Sequence, residues 1–342
     1  MILDRFIRPL IPVSLCLGLI ISCQVDPSGG QYYSVAGFTQ GTTYHITYQA
    51  KDSFDLSGPF DSLFRVFDHS LSLYLPNSII TAINENREDV ETDTLFRTVF
   101  REAKRVFELS GGAFDITVGP LSDAWGFGPG SKMEIDSSVI DSLLQLVGMD
   151  KVRLAGNRVI KSHPGIRLDM NAIAQGYTAD FLSAYLDDLG IRNYLVEVGG
   201  EIRTRGLNPS GKMWGIGIDS PRYGNYLPGE ELQVIVRMSG KSLATSGNYR
   251  KFYEKDGIKY HHSLDPATGY PRQDRLLSAT IIDESCMSAD AYATTCMVLG
   301  FERAKSFIES LDGVDAYFIF SDDDGLYHSW HTPGLEKYLE SP

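Results

Sequence analysis

Residues 171–190 read NAIAQGYTADFLSAYLDDLG, and residues 194–206 read YLVEVGGEIRTRG. The first stretch predicts a helix, with Asn171 placed to cap its start and Gly190 to stop it. The second predicts extended strand. A helix that hands over within a few residues to a strand is the unit from which the rest of the chain can be read. Upstream, PFDSLFRVFDHSL (59–71) sets Phe60, Leu63, Phe64, Phe67 and Leu71 on one helical face. LFRTVFREAKRVFELSGG (95–112) does the same with Leu95, Val99, Val106 and Phe107, and SSVIDSLLQLVG (137–148) is a third amphipathic helix. KVRLAGNRVI (151–160) predicts a hairpin turning on Gly156-Asn157. Downstream, strands are expected at WGIGID, ELQVIVRM, KSLATSG, LLSATII, DAYFIF and LYHSW. No repeat of fixed period occurs. Hairpins mixed with helices argue for α+β, or α/β with a mixed sheet, and against a purely parallel doubly wound fold.

The first residues describe transport. Arg5 and Arg8 precede an apolar run from Leu10 to Ile21, which stops at Ser22-Cys23. The run is about a dozen residues, too short to cross a bilayer, which takes roughly 20, and it has the organisation of a cleaved signal. LIISC (19–23) also resembles the lipobox of bacterial lipoproteins, in which the cysteine becomes the lipidated first residue; the other reading is a plain secretory signal with an incidental cysteine. The expected organisation is a lipoprotein signal at 1–22, lipidated Cys23 with a Pro/Gly/Ser tether to residue 36, and one domain over 37–342. Cleavage before Cys23 removes 22 of the 342 residues and leaves 320, room for one large domain or two small ones. It also removes Asp4, Arg5 and Arg8, so the net charge moves from −13 to −14. A chain this acidic is a poor partner for nucleic acid, whose phosphates demand a basic surface. Cys286 and Cys296 are the thiols of the body; a disulfide between them is open, but no disulfide framework or zinc spacing is present.

Chemistry concentrates in four places. In SADAYATTC (288–296), Ser288 reads as an N-cap, which puts Asp290 in the first helical turn and Thr294 directly above it. Two hard oxygen donors on one face suit Mg²⁺ or Ca²⁺, and a site with few protein ligands suits Mg²⁺ held together with substrate phosphates. The competing reading is an acidic residue favoured by the helix dipole alone. HHSLDPATGYP (261–271) packs more functional side chains into one loop than a connection needs; His262 and Thr268 could hold anionic oxygens, and Asp265 is either a participant or a turn former. LATSGNYR (243–250) ends a strand at Ser246-Gly247-Asn248, a polar turn whose backbone N–H groups could cradle a phosphate. GGAFDITVGPLSDAWGFG (111–128) sets Asp115 among apolar residues, where a carboxylate needs a partner.

These stretches, with SLYLPNSIITAIN (72–84), RLDMNAIAQGYTAD (167–180) and VEVGGEIRTRG (196–206), resemble in their order the motifs of the ApbE family, the FAD:protein FMN transferases, from about Gly41 to Trp330. The resemblance implies a T-fold-related single catalytic domain. It implies that, with Mg²⁺, FAD is split at its pyrophosphate and FMN is moved to a threonine hydroxyl of an acceptor flavoprotein, leaving AMP. Asp290 and Thr294 match the family's metal ligands, with the backbone carbonyl of Ala174 as a third, and Asp290 is the central catalytic candidate. Tyr74 matches an aromatic lining the isoalloxazine pocket, although a Tyr after an apolar helix is more often core. Ala113, Phe114 and Asp115 match a stretch contacting the cofactor, and Ser246, Gly247 and Thr268 fall on the phosphate side. His262 matches a histidine near the pyrophosphate, which holds a phosphate oxygen or accepts the threonine proton. Gln175 stands where many members carry Lys, so it can hydrogen-bond but adds no charge; Arg250 or Lys251 could compensate. Many members are lipid-anchored and face the periplasm, from the inner or outer membrane, beside membrane redox subunits whose short Ser/Thr-rich motif is flavinylated. Two alternatives share the site: an FAD pyrophosphatase that uses water and frees FMN and AMP, and a lipid-anchored flavin-binding protein without catalysis.

Overall fold

The computed structural model describes residues 30–51, 55–221, 229–248, 252–255, 258–261 and 263–342. The expectations for the signal, Cys23, Arg250, Lys251 and His262 lie outside the described residues. The chain begins with a hairpin of β1 (Gln31–Thr39) and β2 (Thr42–Ala50), then α1 (Ser57–Leu71), α2 (Ile79–Asn84), α3 (Thr94–Leu109), α4 (Gly119–Trp125) and α5 (Ser137–Leu144). The predicted hairpin follows as β3 (Val152–Ala155) and β4 (Arg158–Lys161), and then α6 (Asn171–Asp188). Strands β5 (Tyr194–Val198), β6 (Glu201–Arg205), β7 (Trp214–Asp219), β8 (Leu232–Met238), β9 (Ser242–Gly247), β10 (Phe252–Lys255), β11 (Ile258–His261) and β12 (Leu276–Asp283) come next. The chain closes with α7 (Cys286–Leu299), α8 (Phe301–Glu309), β13 (Asp315–Ser321), β14 (Tyr327–His331) and β15 (Leu339–Glu340).

One eight-stranded sheet, in the order β1-β2-β5-β6-β9-β12-β13-β14, organises the molecule. Each of its strand pairings is antiparallel, so the architecture is α+β and the mixed sheet of the α/β alternative does not form. Both faces of its centre are covered. β13 sends Ala316 and Phe318 into the helical core and Tyr317 and Ile319 against a second sheet of β15, β8 and β7. That double burial is why DAYFIF and LLSATII read as nearly continuous apolar runs rather than as an alternation. At the β1 side, Tyr44, Ile46 and Tyr48 of β2 alternate into a core with α1 and α6. β1 starts at Gln31, so the sheet takes in residues 31–36, which the sequence reading gave to the tether. Among the described residues no helix is long and apolar enough to cross a membrane.

Helix α7 lies at the centre, and twelve of its fourteen residues are buried, the mark of a helix packed on every side. The two that are not fully buried are Met287 and Thr294. Its cap differs from expectation. Ser285, in extended conformation, accepts from the Ser288 N–H through its side chain, and the helix begins at Cys286. The strand-to-helix handover from β12 is three residues tighter than the serine pattern suggested, and Asp290 therefore falls in the second turn. Likewise Asn171 is the first helical residue of α6 and not its cap; the carboxylate of Asp169 accepts from its N–H at 3.0 Å. Gly190, at φ 77°, does end α6 as predicted. Cys286 and Cys296 are both buried and free, so no disulfide joins them.

Candidate active site

Helices α6 and α7 meet at Gly176. A Cβ at that position would run into the Cys286 carbonyl oxygen and lie 2.7 Å from the Asp290 Cβ. Only a glycine allows this approach, and the approach carries the site. The Gly176 N–H donates to Asp290 Oδ2 at 3.0 Å. The Asp290 carboxylate is 6% exposed; burial pushes its pKa up to about 7, and the Gly176 N–H opposes that only in part. A buried carboxylate with a single amide partner favours the arrival of a positive charge.

The remaining oxygens come from the same two helices and one strand. Ala174, two residues before Gly176, is buried, and its carbonyl accepts from Thr178 Oγ1 at 2.9 Å. Thr294 stands one turn beyond Asp290, with Oγ1 3.2 Å from Ser246 Oγ of β9. The side chain of Gln175 lies against the β5–β6 turn, since a Cβ on Gly199 would sit 3.0 Å from its Nε2. Asp290 of α7 thus meets α6 at Gly176, next in sequence to Gln175 and two residues from Ala174, and Thr294 meets Ser246 of β9. Among the described residues no cluster of three or more His, Cys, Asp or Glu is present, so a cation here would draw on one carboxylate with hydroxyl and carbonyl oxygens, a set suited to Mg²⁺ rather than to zinc.

Other expectations change. Ser246 and Gly247 belong to strand β9, paired with Ala279 and Ser278, and the Asn248 N–H donates to the Leu277 carbonyl at 3.1 Å. They form no open backbone cradle; the Ser246 hydroxyl is the group left facing Thr294. Asp115 Oδ1 accepts from the N–H and Oγ1 of Thr117 at 2.7 and 2.6 Å, and its Oδ2 accepts from the Met149 N–H at 3.1 Å. The carboxylate that needed a partner has three local ones, while Ala113 and Phe114 are part of the main core. This segment braces a wall from within. Tyr74, by contrast, is 68% exposed, which removes the core reading for it. Thr268 is exposed, and Asp265 is a turn former: its Oδ1 accepts from the Ala267 N–H and its carbonyl from Gly269. That loop is fastened to α4, whose Trp125 Nε1 donates to the Gly269 carbonyl at 2.8 Å.

Two groups escaped the sequence reading. Beside Leu73, a small cavity is lined by Asn84, Asp123, Arg167 and Asp169, with Arg167 paired to Asp123 at 3.0 Å and Asn84 exchanging two hydrogen bonds with the Leu168 backbone. Asp123 lies within GGAFDITVGPLSDAWGFG and Asp169 within RLDMNAIAQGYTAD, and the sequence assigns neither a role. The second is Asp180 of α6, whose carboxylate meets the start of α7.

A sequence profile for the ApbE family matches residues 40–318. The chain belongs to the ApbE family. The FAD:protein FMN transferase of Vibrio cholerae is 36% identical over 302 residues, covering 85% of this chain and 88% of that one. The protein of the same name from Haemophilus influenzae is 31% identical over 339 residues, covering 95% of each. The solved flavin transferase ApbE from Vibrio cholerae superposes with a TM-score of 0.81 at 33% identity, over 91% of this chain and all of that one. The ApbE protein of Thermotoga maritima gives 0.79 at 26% identity, over 91% and 100%. These two relatives and two solved structures each cover 85% or more of this chain.

Proposed function

We propose that this protein transfers FMN from FAD to a threonine hydroxyl of an acceptor protein, with Mg²⁺, and releases AMP. The observation that carries the reading is Asp290: a buried carboxylate held by one N–H at the crossing of α6 and α7, with the Ala174 carbonyl and the Thr294 hydroxyl on the same seam. Asp290, Thr294 and the Ala174 carbonyl would hold the cation. Bound there, Mg²⁺ would neutralise the pyrophosphate as its bridging bond breaks. The Ser246 hydroxyl, next to Thr294, is placed to orient that threonine or to donate to a phosphate oxygen. Gln175 supplies a neutral amide where a charged side chain would add attraction, so this chain leans more heavily on the metal. The exposed Tyr74 offers a ring face for the flavin. In the reaction the phosphoanhydride P–O bond to AMP breaks, a P–O bond to the threonine Oγ forms, and the hydroxyl proton passes to a base, for which His262 is the candidate. The pattern from Arg5 to Cys23 supports a lipid anchor in the bacterial envelope, facing the periplasm, where membrane redox subunits with Ser/Thr-rich motifs would be the acceptors.

The test is to incubate the purified full chain with FAD, Mg²⁺ and a domain bearing such a threonine motif, and to weigh the acceptor. A gain of one FMN residue, lost with EDTA, is expected. Free FMN and AMP beside an unmodified acceptor would replace the transferase by a pyrophosphatase, and intact FAD would refute catalysis.

A further inference from the structure

Helix α7 is capped twice. Its own Ser285 hydroxyl accepts from Ser288; a second cap comes from a different helix. Asp180 of α6 places Oδ1 3.0 Å from the Cys286 N–H and Oδ2 3.0 Å from the Met287 N–H, and Oδ2 also accepts from Ser285 Oγ at 3.0 Å. The first N–H groups of a helix lack partners inside it, and a carboxylate there is favoured by the dipole as well. Yet one residue from the local turn commonly suffices as a cap. The supply of a half-buried carboxylate from 106 residues away calls for another reason, and its spacing provides one.

Asp180 follows Gly176 by four residues on α6, and Asp290 follows Cys286 by four on α7. The two helices therefore exchange carboxylates: Asp290 of α7 takes the Gly176 N–H of α6, and Asp180 of α6 takes the N–H groups of Cys286 and Met287 on α7. Between the two links the Gly176 Cα rests on the Cys286 carbonyl. One link constrains the separation of the helices at a single point and, within the packing that surrounds α7, leaves small rotations about its axis open. Two links, one helical turn or roughly 6 Å apart along the axis, fix rotation and slide together. The direction in which Asp290 and Thr294 point relative to the Ala174 carbonyl is set by that rotation.

Resting on the function proposed above, we propose that Asp180 is a positioning residue: it locks the rotation of α7 on α6 so that the oxygens of Ala174, Asp290 and Thr294 converge on one cation. Residues that orient metal ligands from behind change metal affinity by about 10–100-fold when removed. The role predicts an effect on cation binding that a cap of equal strength elsewhere does not have.

The experiment titrates Mg²⁺ alone into the FAD-free full chain by calorimetry, alongside thermal unfolding and the Mg²⁺ dependence of FMN transfer. Asp180→Asn keeps one acceptor oxygen and about the same volume, so it is the variant expected to disturb the fold least, and Asp180→Ala, which removes all three hydrogen bonds, is its harsher companion. Asp180→Asn is expected to weaken Mg²⁺ binding about tenfold and to raise the Mg²⁺ concentration for half-maximal rate with little change in the KM for FAD. Asp93→Ala, which removes the cap of α3 (Asp93 accepts from the Phe96 N–H at 2.8 Å), should lower the melting temperature and leave Mg²⁺ binding as it was. A folded Asp180→Asn protein that binds Mg²⁺ within about twofold of the wild type overturns the proposal, whatever its melting temperature. The Asp290→Ala control separates the two readings. If it abolishes the Mg²⁺ heat while Asp180→Asn leaves it intact, the metal site stands and the positioning role falls; if Asp290→Ala binds Mg²⁺ normally, both fall.

Discussion

Replacing Gly176 by alanine puts one methyl group at the point on which the site depends. In an exposed helix interior that change gains about 1 kcal/mol from propensity. Here the added Cβ would meet the Cys286 carbonyl oxygen and lie 2.8 Å from the Cys286 carbonyl carbon and 2.7 Å from the Asp290 Cβ, against about 3.5–4.0 Å for ordinary carbon contacts. The obstacle is largely backbone, so the helices must part by roughly 1 Å. Overpacking of this kind costs about 1–3 kcal/mol. Parting by that amount carries the Asp290–Gly176 hydrogen bond out of range, a further loss of about 1.5–3 kcal/mol for a bond to a charged group. Set against the propensity gain, the net destabilisation is about 1.5–5 kcal/mol. Urea unfolding should show the lowered midpoint, and calorimetric titration should show weakened Mg²⁺ binding in the fraction that folds. A Gly176→Ala protein as stable as the wild type, or stabilised as propensity alone demands, would refute the close crossing and the site built on it.

Asp290→Asn should reduce FMN transfer by at least about a thousandfold at ordinary Mg²⁺, since a catalytic metal supplies several kcal/mol; retained activity removes Asp290 from the metal site. The same variant reads the carboxyl's titration. Burial raises the folded pKa to about 7 from 3.8, so the fold favours the protonated form. That contribution to stability is complete below the unfolded value and is lost as pH rises toward 7. The metal-free protein should therefore lose melting temperature between about pH 4 and 7 by more than Asp290→Asn does, and saturating Mg²⁺ should restore it; equal slopes would refute the assignment. Asp115→Asn should lower stability by about 1–2 kcal/mol through its bonds to Thr117 and Met149 while FAD binding persists, and a selective loss of FAD affinity would return Asp115 to the cofactor. Trp125→Phe removes the donor to the Gly269 carbonyl, and hydrogen exchange in residues 263–271 should quicken by about fivefold, equivalent to about 1 kcal/mol; unchanged exchange would show that the loop is held by other contacts.

Regular elements were legible in this sequence wherever one period dominated. Helices α1, α3 and α5 show a clean apolar face, and β3–β4 turns where Gly156-Asn157 predicts. β1 was lost because the Gly/Ser run before Gln31 reads as tether and β1 is a partly exposed edge strand with a weak apolar signal. The alternation of Tyr44, Ile46 and Tyr48 in β2 was present but unexploited. Helix α4, seven residues opening on Gly119-Pro120, is too short for a helical period to register. In the candidate site, Asp290, Thr294 and Ala174 are named by the order of the motifs and not by any local pattern. The contacts of Gly176 and Asp180 were not, because they join residues more than a hundred positions apart, and no local pattern encodes which faces of two helices touch.

The same distinction explains where local reasoning misled. Ser288 and Asn171 are good capping residues by type, and each lies within a few residues of a true helix start. In both places the N–H groups are claimed by an aspartate instead: Asp180 at α7 and Asp169 at α6. A serine cap satisfies one donor and is indifferent to what the rest of the helix faces. A carboxylate from outside the helix ties its first turn to another element and so determines its rotation. In α7 that rotation decides whether a buried acid is a liability or a ligand, for Asp290 has one amide partner in an otherwise sealed helix. Of the helix's two residues that are not fully buried, Thr294 is the one that stands directly beyond it on the same face. A sealed helix that is open at Thr294, one turn beyond its single carboxylate, breaks the rule for cores there, and such points are where function is expected to reside.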